Sequence, residues 1–141
     1  MATTKTNDNY PAATLRHFHD AEILKEANAY ENALCHYAFS VECAQKTLLY
    51  WHNNTTPSRH NMTTDWKNVS PLLQAWKTLD SSLASAVPET PLPSKLQKKH
   101  PHRRYERCFH VSTQDIVTAR KFAQNMEHVI INMILDGLIH V

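Results

Sequence analysis

Six of the fifteen Lys and Arg residues fall within thirteen positions, Lys95 to Arg107, with Glu106 the one opposing charge. The stretch continues through Cys108 and Phe109 to His110, and an amphipathic helical pattern begins just beyond it. Arg104 and His110, six residues apart, thus arrive together at a helix N-terminus. A guanidinium clamps phosphate oxygens, backbone N–H groups at a helix start favour anions, and an imidazole titrates near neutrality. Together these groups suit the binding of a phosphate and its cleavage, with His110 as acid/base and Arg104 as phosphate stabiliser. Arg103, Arg107 and Lys99 are then auxiliary phosphate contacts. A solvated basic loop is the competing reading, and charge alone leaves both open.

Glu42 and Lys46 stand four residues apart in a helical pattern. They read either as a polar pair supporting that site or as a surface pair worth about 0.2–0.5 kcal/mol. Tyr105 is expected to pack against the body of the protein rather than stack on a base. Among the ten histidines, His17/His19 and His100/His102 are the tightest pairs. Helical residues two apart point in nearly opposite directions, so His17 and His19 cannot share a metal. His100 and His102 flank Pro101 and would share a side in extended chain, but they lack recognisable companion ligands. No metal is assigned. A single glycine excludes Gly-rich phosphate loops and dinucleotide fingerprints, and no Ser/His/Asp or Cys/His nucleophilic arrangement stands out. No cofactor is implied.

The elements that position these residues read as helices. One glycine in 141 residues argues against a sheet protein, and the seven prolines gather at or near boundaries. A first helix opens near Pro11 and falters around Ala27-Asn28-Ala29. A second runs from about Tyr30 to Trp51, with Leu34, Tyr37, Ala38, Val41, Ala44 and Leu48 on its main face. Cys35, Phe39, Cys43 and Tyr50 make another apolar stripe, so this helix is either central in a bundle or lent partly to another chain. A third spans roughly Asp65 to Val87, with Pro71 at a first turn and a restart near Ser70. Its apolar face is Leu72, Leu73, Trp76, Leu79 and Leu83. Ser112-x-x-Asp115 caps the last helix, which repeats through Ile116, Ala119, Ala123, Met126, Ile130, Met133/Ile134 and Gly137.

The expected fold is therefore an all-α, four- or five-helix up-and-down bundle, with the first two helices antiparallel. Residues 1–10 read as an irregular N-terminus and 11–141 as one domain, with a basic, Pro-rich connection at about 88–111. The formal charge of +2 is too small to mark a nucleic-acid binder by itself. Cys35 and Cys43 lie about 12 Å apart along a helix, too far for a disulfide, and with Cys108 they suit a reducing compartment. No apolar leader or membrane-length stretch occurs, and a cytoplasmic location without membrane association is expected.

Glu42-Cys-Ala44-Gln-Lys46-Thr-Leu48-Leu49 resembles the Glu-x-Ala-x-Lys-x-Leu-Leu pattern of HEPN domains, the higher-eukaryote and prokaryote nucleotide-binding family. Three further features follow the family's order. His17-Phe-His19-Asp20-Ala21 leads to the Asn28-Ala29-Tyr30 junction, Arg59-His60-Asn61-Met62 precedes helix three, and Arg104-Tyr105 precedes the last helix. The resemblance implies a bundle that homodimerises. Many members are metal-independent endoribonucleases with an Arg-x(4–6)-His motif, which Arg104-x5-His110 fits, and they act as toxins or in defence. RNA would then be the substrate. Other members are non-catalytic bundles that bind a nucleotidyltransferase-type antitoxin partner, a nucleotide or another protein. This chain departs from the nuclease pattern in carrying Tyr105 where a polar residue is usual. His110 also stands ahead of the helix cap rather than on the helix.

Overall fold

A computed structural model of the chain describes residues 9–54, 59–79, 86–88, 91–105 and 110–141, with the backbone alone of Arg104. These residues form five α-helices and no strands: α1 (Tyr10–Glu26), α2 (Tyr30–Asn53), α3 (Met62–Leu79), the one-turn α4 (Ser94–Gln97) and α5 (Thr113–Leu135). A 3-10 turn, His102–Tyr105, lies between α4 and α5.

Local chemistry sets the boundaries. The Asn9 side chain accepts the Ala12 N–H at 3.0 Å, and Pro11 sits in the first turn, where a missing N–H costs little. α1 stops because Asn28 turns left-handed, with φ 59°. Asn28 N–H then reaches the Lys25 carbonyl at 2.9 Å and Ala29 N–H the Leu24 carbonyl at 2.8 Å, a Schellman closure. α2 starts at once and folds back along α1. Ser40 Oγ donates to the Thr14 carbonyl at 2.8 Å, and Phe18 meets Tyr37 with ring centroids 5.7 Å apart.

The two apolar stripes of α2 are explained by its position. It packs against α1, α3, α4 and α5, which makes it the central helix. Leu34, Tyr37, Val41, Ala44 and Leu48 are fully buried, and Cys35 and Cys43 are buried on the other side. Phe39 of the same stripe is half-buried, and Tyr50 remains exposed.

α3 begins earlier than expected, because Asn61 Oδ1 accepts the Thr64 N–H at 3.0 Å and caps the helix at Met62. It also runs through Pro71 without the expected restart. Pro71 and Lys67 are both exposed, so the Lys67 carbonyl that loses its intrahelical donor faces water. Leu79 ends the described helix and is exposed, against its expected place on the apolar face. Leu83 lies outside the described residues. Ala86 and Val87 return to the core.

The capping box of α5 is complete. Ser112 Oγ accepts the Asp115 N–H at 3.1 Å, and Asp115 Oδ2 accepts the Ser112 N–H at 3.0 Å. Gly137 is not a continuation of the repeat. Its φ of 75° closes α5 after Leu135, with Gly137 N–H on the Ile134 carbonyl and Leu138 N–H on that of Met133.

One polar cluster ties three helices. Glu22 of α1 accepts from Tyr37 of α2 at 2.6 Å and from Arg120 of α5 at 2.7 and 3.0 Å. Near it, burial and the charge of Glu22 push the Glu127 carboxyl up to about 7, with Arg120 offsetting part of the rise. A carboxyl whose folded pKa is raised binds its proton more tightly in the native state, so stability falls as pH rises from the ordinary carboxylate range toward 7. Glu127→Gln removes that slope. At pH 8 the variant is expected to be more stable than wild type by about 2 kcal/mol in urea unfolding, and indistinguishable from it at pH 4.

Candidate functional site

Glu42 is a carboxylate set in the middle of the most buried helix of the protein, between Val41 and Cys43. Its side chain is only 4% exposed. A buried carboxylate survives only with donors around it. Here three donor groups converge, each from a different stretch of sequence.

Lys46, one turn further along α2 and equally buried, places Nζ 3.5 Å from Oε2 of Glu42. The same ammonium lies 5.5 Å from the centroid of the Tyr10 ring, at the start of α1. His60, on the approach to α3, sets Nδ1 2.9 Å from Oε1 and 3.0 Å from Oε2 of Glu42. His100, on the segment after α4, sets Nε2 2.8 Å from Oε1. The pair Glu42–Lys46 is thus an interior ion pair rather than a solvated one.

The segment that delivers His100 is braced from several directions. The Thr63 hydroxyl is hydrogen-bonded to Gln97 Oε1, which joins the start of α3 to α4. Lys99 turns left-handed at φ 59°, and Arg103 N–H closes on the Lys99 carbonyl at 2.8 Å. The Arg103 guanidinium donates to the Lys98 carbonyl. Between these anchors His100 points inward, and its ring meets the Phe39 ring edge-on at 4.6 Å.

Burial alone would raise the Glu42 carboxyl. Hydrogen bonds from His100 and His60, with the positive Lys46, outweigh it and hold the group at about 2. Asp65 of α3 is within the electrostatic reach of the same groups and behaves oppositely. It is fully buried, neither carboxylate oxygen has a hydrogen-bond partner, and desolvation pushes its carboxyl up against the pull of Arg59 and Lys46.

The two imidazoles on Glu42 differ in one respect that matters. The His100 side chain is 4% exposed, whereas that of His60 is 45% exposed. With Nδ1 committed to Glu42 and the side chain half exposed, Nε2 is the ring nitrogen left to engage other groups. A carboxylate that fixes an imidazole's orientation while its other nitrogen stays accessible is the arrangement of an acid/base catalyst. Glu42, His60 and His100 also bring three metal-ligating atoms within 4.8 Å of one another.

Beyond this centre, α1 and α2 place His17 and His36 together, with Nδ1 atoms 3.1 Å apart and His17 stacked on Phe39. Burial and the neighbouring His36 lower the His17 pKa.

The structure distributes the expected site residues unevenly. Glu42 and Lys46 lie at the centre. Arg103 is buried at 5% exposure and braces its own turn rather than extending into solvent. Lys99 is exposed at the left-handed turn. Arg104 contributes its backbone to the 3-10 turn, and its side chain, like all of Arg107 and Cys108, lies outside the described residues. His110 is exposed ahead of the Ser112 cap, and its charge lowers the Asp115 carboxyl, after the Ser112 hydrogen bonds and Lys95. Tyr105 is 74% exposed, contrary to the expected packing, because the 3-10 turn buries Arg103 instead. His100 and His102 do not share a side. The chain turns at Pro101, leaving His102 exposed while His100 faces Glu42.

Sequence reasoning did not connect His60 to His100. The available signal was Glu42 itself, a carboxylate between two apolar stripes, which must find donors from elsewhere in the chain. Comparisons with protein-family models, curated proteins and solved structures give no match.

Removing the charge of Glu42 leaves a buried ammonium without its counter-ion. Glu42→Gln is expected to lower stability at pH 7 by about 3 kcal/mol in chemical denaturation. Because the folded pKa of Glu42 is depressed, its contribution is present above the ordinary carboxylate pKa and is lost as pH falls toward 2. The difference between wild type and variant is therefore expected to shrink between pH 5 and pH 2, both measured by the same unfolding assay.

Proposed function

We propose that this protein is a HEPN-type, metal-independent endoribonuclease in which His60, held by Glu42, performs a proton transfer, with Arg104 and His110 as its phosphate stabiliser and second acid/base. One observation carries the reading: a buried carboxylate fixes Nδ1 of His60 while 45% of that side chain stays in contact with solvent. The order of motifs along the chain supports it further, since the basic segment enters the site through His100, directly before Arg103 and Arg104.

In this reading the outward nitrogen of His60 takes the proton from a 2′-hydroxyl. The resulting alkoxide attacks the adjacent phosphorus, forming the P–O2′ bond and breaking the P–O5′ bond. The leaving 5′-oxygen takes a proton from His110, and Arg104 offsets the charge gathered on the phosphorane oxygens. The products are a 2′,3′-cyclic phosphate and a 5′-hydroxyl. A homodimer, with RNA as the shared substrate, would bring two basic segments to one strand. Its setting would be a toxin–antitoxin or defence system.

A second reading is a non-catalytic bundle that docks on a nucleotidyltransferase-type partner. It is favoured by the apolar side chains left in solvent, Leu79 at 84%, Leu135 at 78% and Tyr50 at 53% exposure.

Purified protein incubated with mixed RNA in EDTA separates the two. Wild type is expected to yield cyclic-phosphate ends, and His60→Ala, Arg104→Ala and His110→Ala each to slow cleavage by about 100-fold or more. His60→Ala cleaving at the wild-type rate would remove His60 from the mechanism. Inactivity of wild type at high concentration, with the dimer verified, would favour the docking reading.

A further inference from the structure

Three ligating atoms from three separate stretches of chain meet at one point beside the surface. Glu42 comes from the interior of α2, His60 from the approach to α3, and His100 from the turn after α4. We infer that Glu42, His60 and His100 form a binding site for a divalent transition metal of the zinc class, with its open coordination position on the His60 side. This goes beyond the cleavage reading and does not rest on it.

The donor set is two imidazoles and one carboxylate, the combination that zinc takes in three-ligand sites whose fourth position holds water. Hard cations such as magnesium prefer oxygen donors and are disfavoured by the two nitrogens. Two of the three ligand separations are close to what a metal needs, and all three lie within 4.8 Å. Tetrahedral ligands at zinc distances stand about 3.3 Å apart, and the imidazole nitrogens lie 2.8 and 2.9 Å from Oε1 of Glu42. Opening these contacts by a few tenths of an ångström admits an ion. Glu42 and His100 are held by packing, at 4% exposure each, so two of the three ligands are pre-positioned. His60 is the exposed one, which gives the ion an entry path and leaves a coordination position facing water.

The surroundings bear on charge balance. Lys46 sits 3.5 Å from Oε2 of Glu42 and opposes a dication. Asp65 of α3 lies within electrostatic reach of the same cluster. It is fully buried, both its oxygens are without hydrogen-bond partners, and the charges of Arg59 and Lys46 offset part of its desolvation. A buried carboxylate with no donors is costly in the metal-free protein. An added positive charge within electrostatic reach of Asp65 lowers that cost. Metal entry displaces the protons held between the imidazoles and Glu42 into solvent, as ligand deprotonation requires.

The test uses the full chain stripped of metal with EDTA and then dialysed free of chelator. Zn2+ is titrated in competition with a chromogenic chelator, and Co2+ is added separately to read its visible d–d absorption. Wild type is expected to bind one equivalent of Zn2+, to gain thermal stability with it, and to show an intense tetrahedral Co2+ spectrum. His60→Ala, which alters a half-exposed side chain, is expected to weaken binding by at least about 100-fold, the upper end of what a lost supporting contact costs. It should also abolish the Co2+ spectrum while remaining folded by circular dichroism. His102→Ala, two residues from His100 but exposed, is expected to leave both readouts unchanged. Wild-type affinity in His60→Ala would overturn the inference, as would weak binding of several equivalents that His102→Ala reduces. Cleavage of RNA in EDTA is scored separately, so either reading can fail while the other stands.

Discussion

The burial of the Glu42 carboxylate is the constraint on which the described architecture turns. A charge inside α2 cannot be left unsolvated, and α2 itself offers only Lys46. The remaining donors must come from elsewhere, and they come from the approach to α3 and from the turn after α4. Both segments combine buried anchors, Met62 in one and Leu96 and Pro101 in the other, with exposed side chains. His60 is half exposed, and the turn around Lys99 exposes Lys98, Lys99 and His102. Glu42 joins them to one another, alongside the Thr63–Gln97 and Arg103 braces and the contact of His100 with Phe39. The carboxylate thus acts as a clasp between the bundle and its irregular connections.

A second polar clasp works at the other junction. Glu22, Tyr37 and Arg120 join α1, α2 and α5 through hydrogen bonds of 2.6 to 3.0 Å, two of them from one guanidinium. Bidentate geometry of this kind adds orientation as well as energy. Both clasps involve α2, whose remaining surface is packed with Leu, Val, Ala and Cys. The apolar core can form in many similar packings, whereas a carboxylate with specified donors is satisfied in one. Polar clasps therefore select among packings that hydrophobic burial alone would leave nearly equivalent.

The helices were legible because the relevant physics is local. Pro11, the Asn28 junction and the Ser112/Asp115 box each announce a boundary within four residues of it, and the structure places helix ends at all three. Pro71 misled for the opposite reason. Its cost depends on whether the orphaned carbonyl reaches water, and that is decided by which face α3 turns outward. The centre at Glu42 was legible in part. Glu42 and Lys46 stand out by spacing, and His60 by its place before helix three, but their meeting with His100 depends on a turn fifty-eight residues away. Arginine counts misled similarly, since Arg103 belongs to the basic cluster in sequence and to the interior in space.

The asymmetry between the two histidines on Glu42 links structure to chemistry. His100 and Glu42 are equally buried, so their contact changes only if the turn carrying His100 moves. His60 shares the same carboxylate oxygen but stands at the rim, where its ring can exchange partners with anything in solvent. One imidazole is therefore buried with the carboxylate, and the other joins it to the surface. An exposed hydrogen bond contributes less than a buried one, so His60 adds less to the clasp than His100 does. The proton-transfer and metal-binding readings both begin from that rim position, and they differ in which nitrogen of His60 does the work: the outward one for a proton, Nδ1 for an ion.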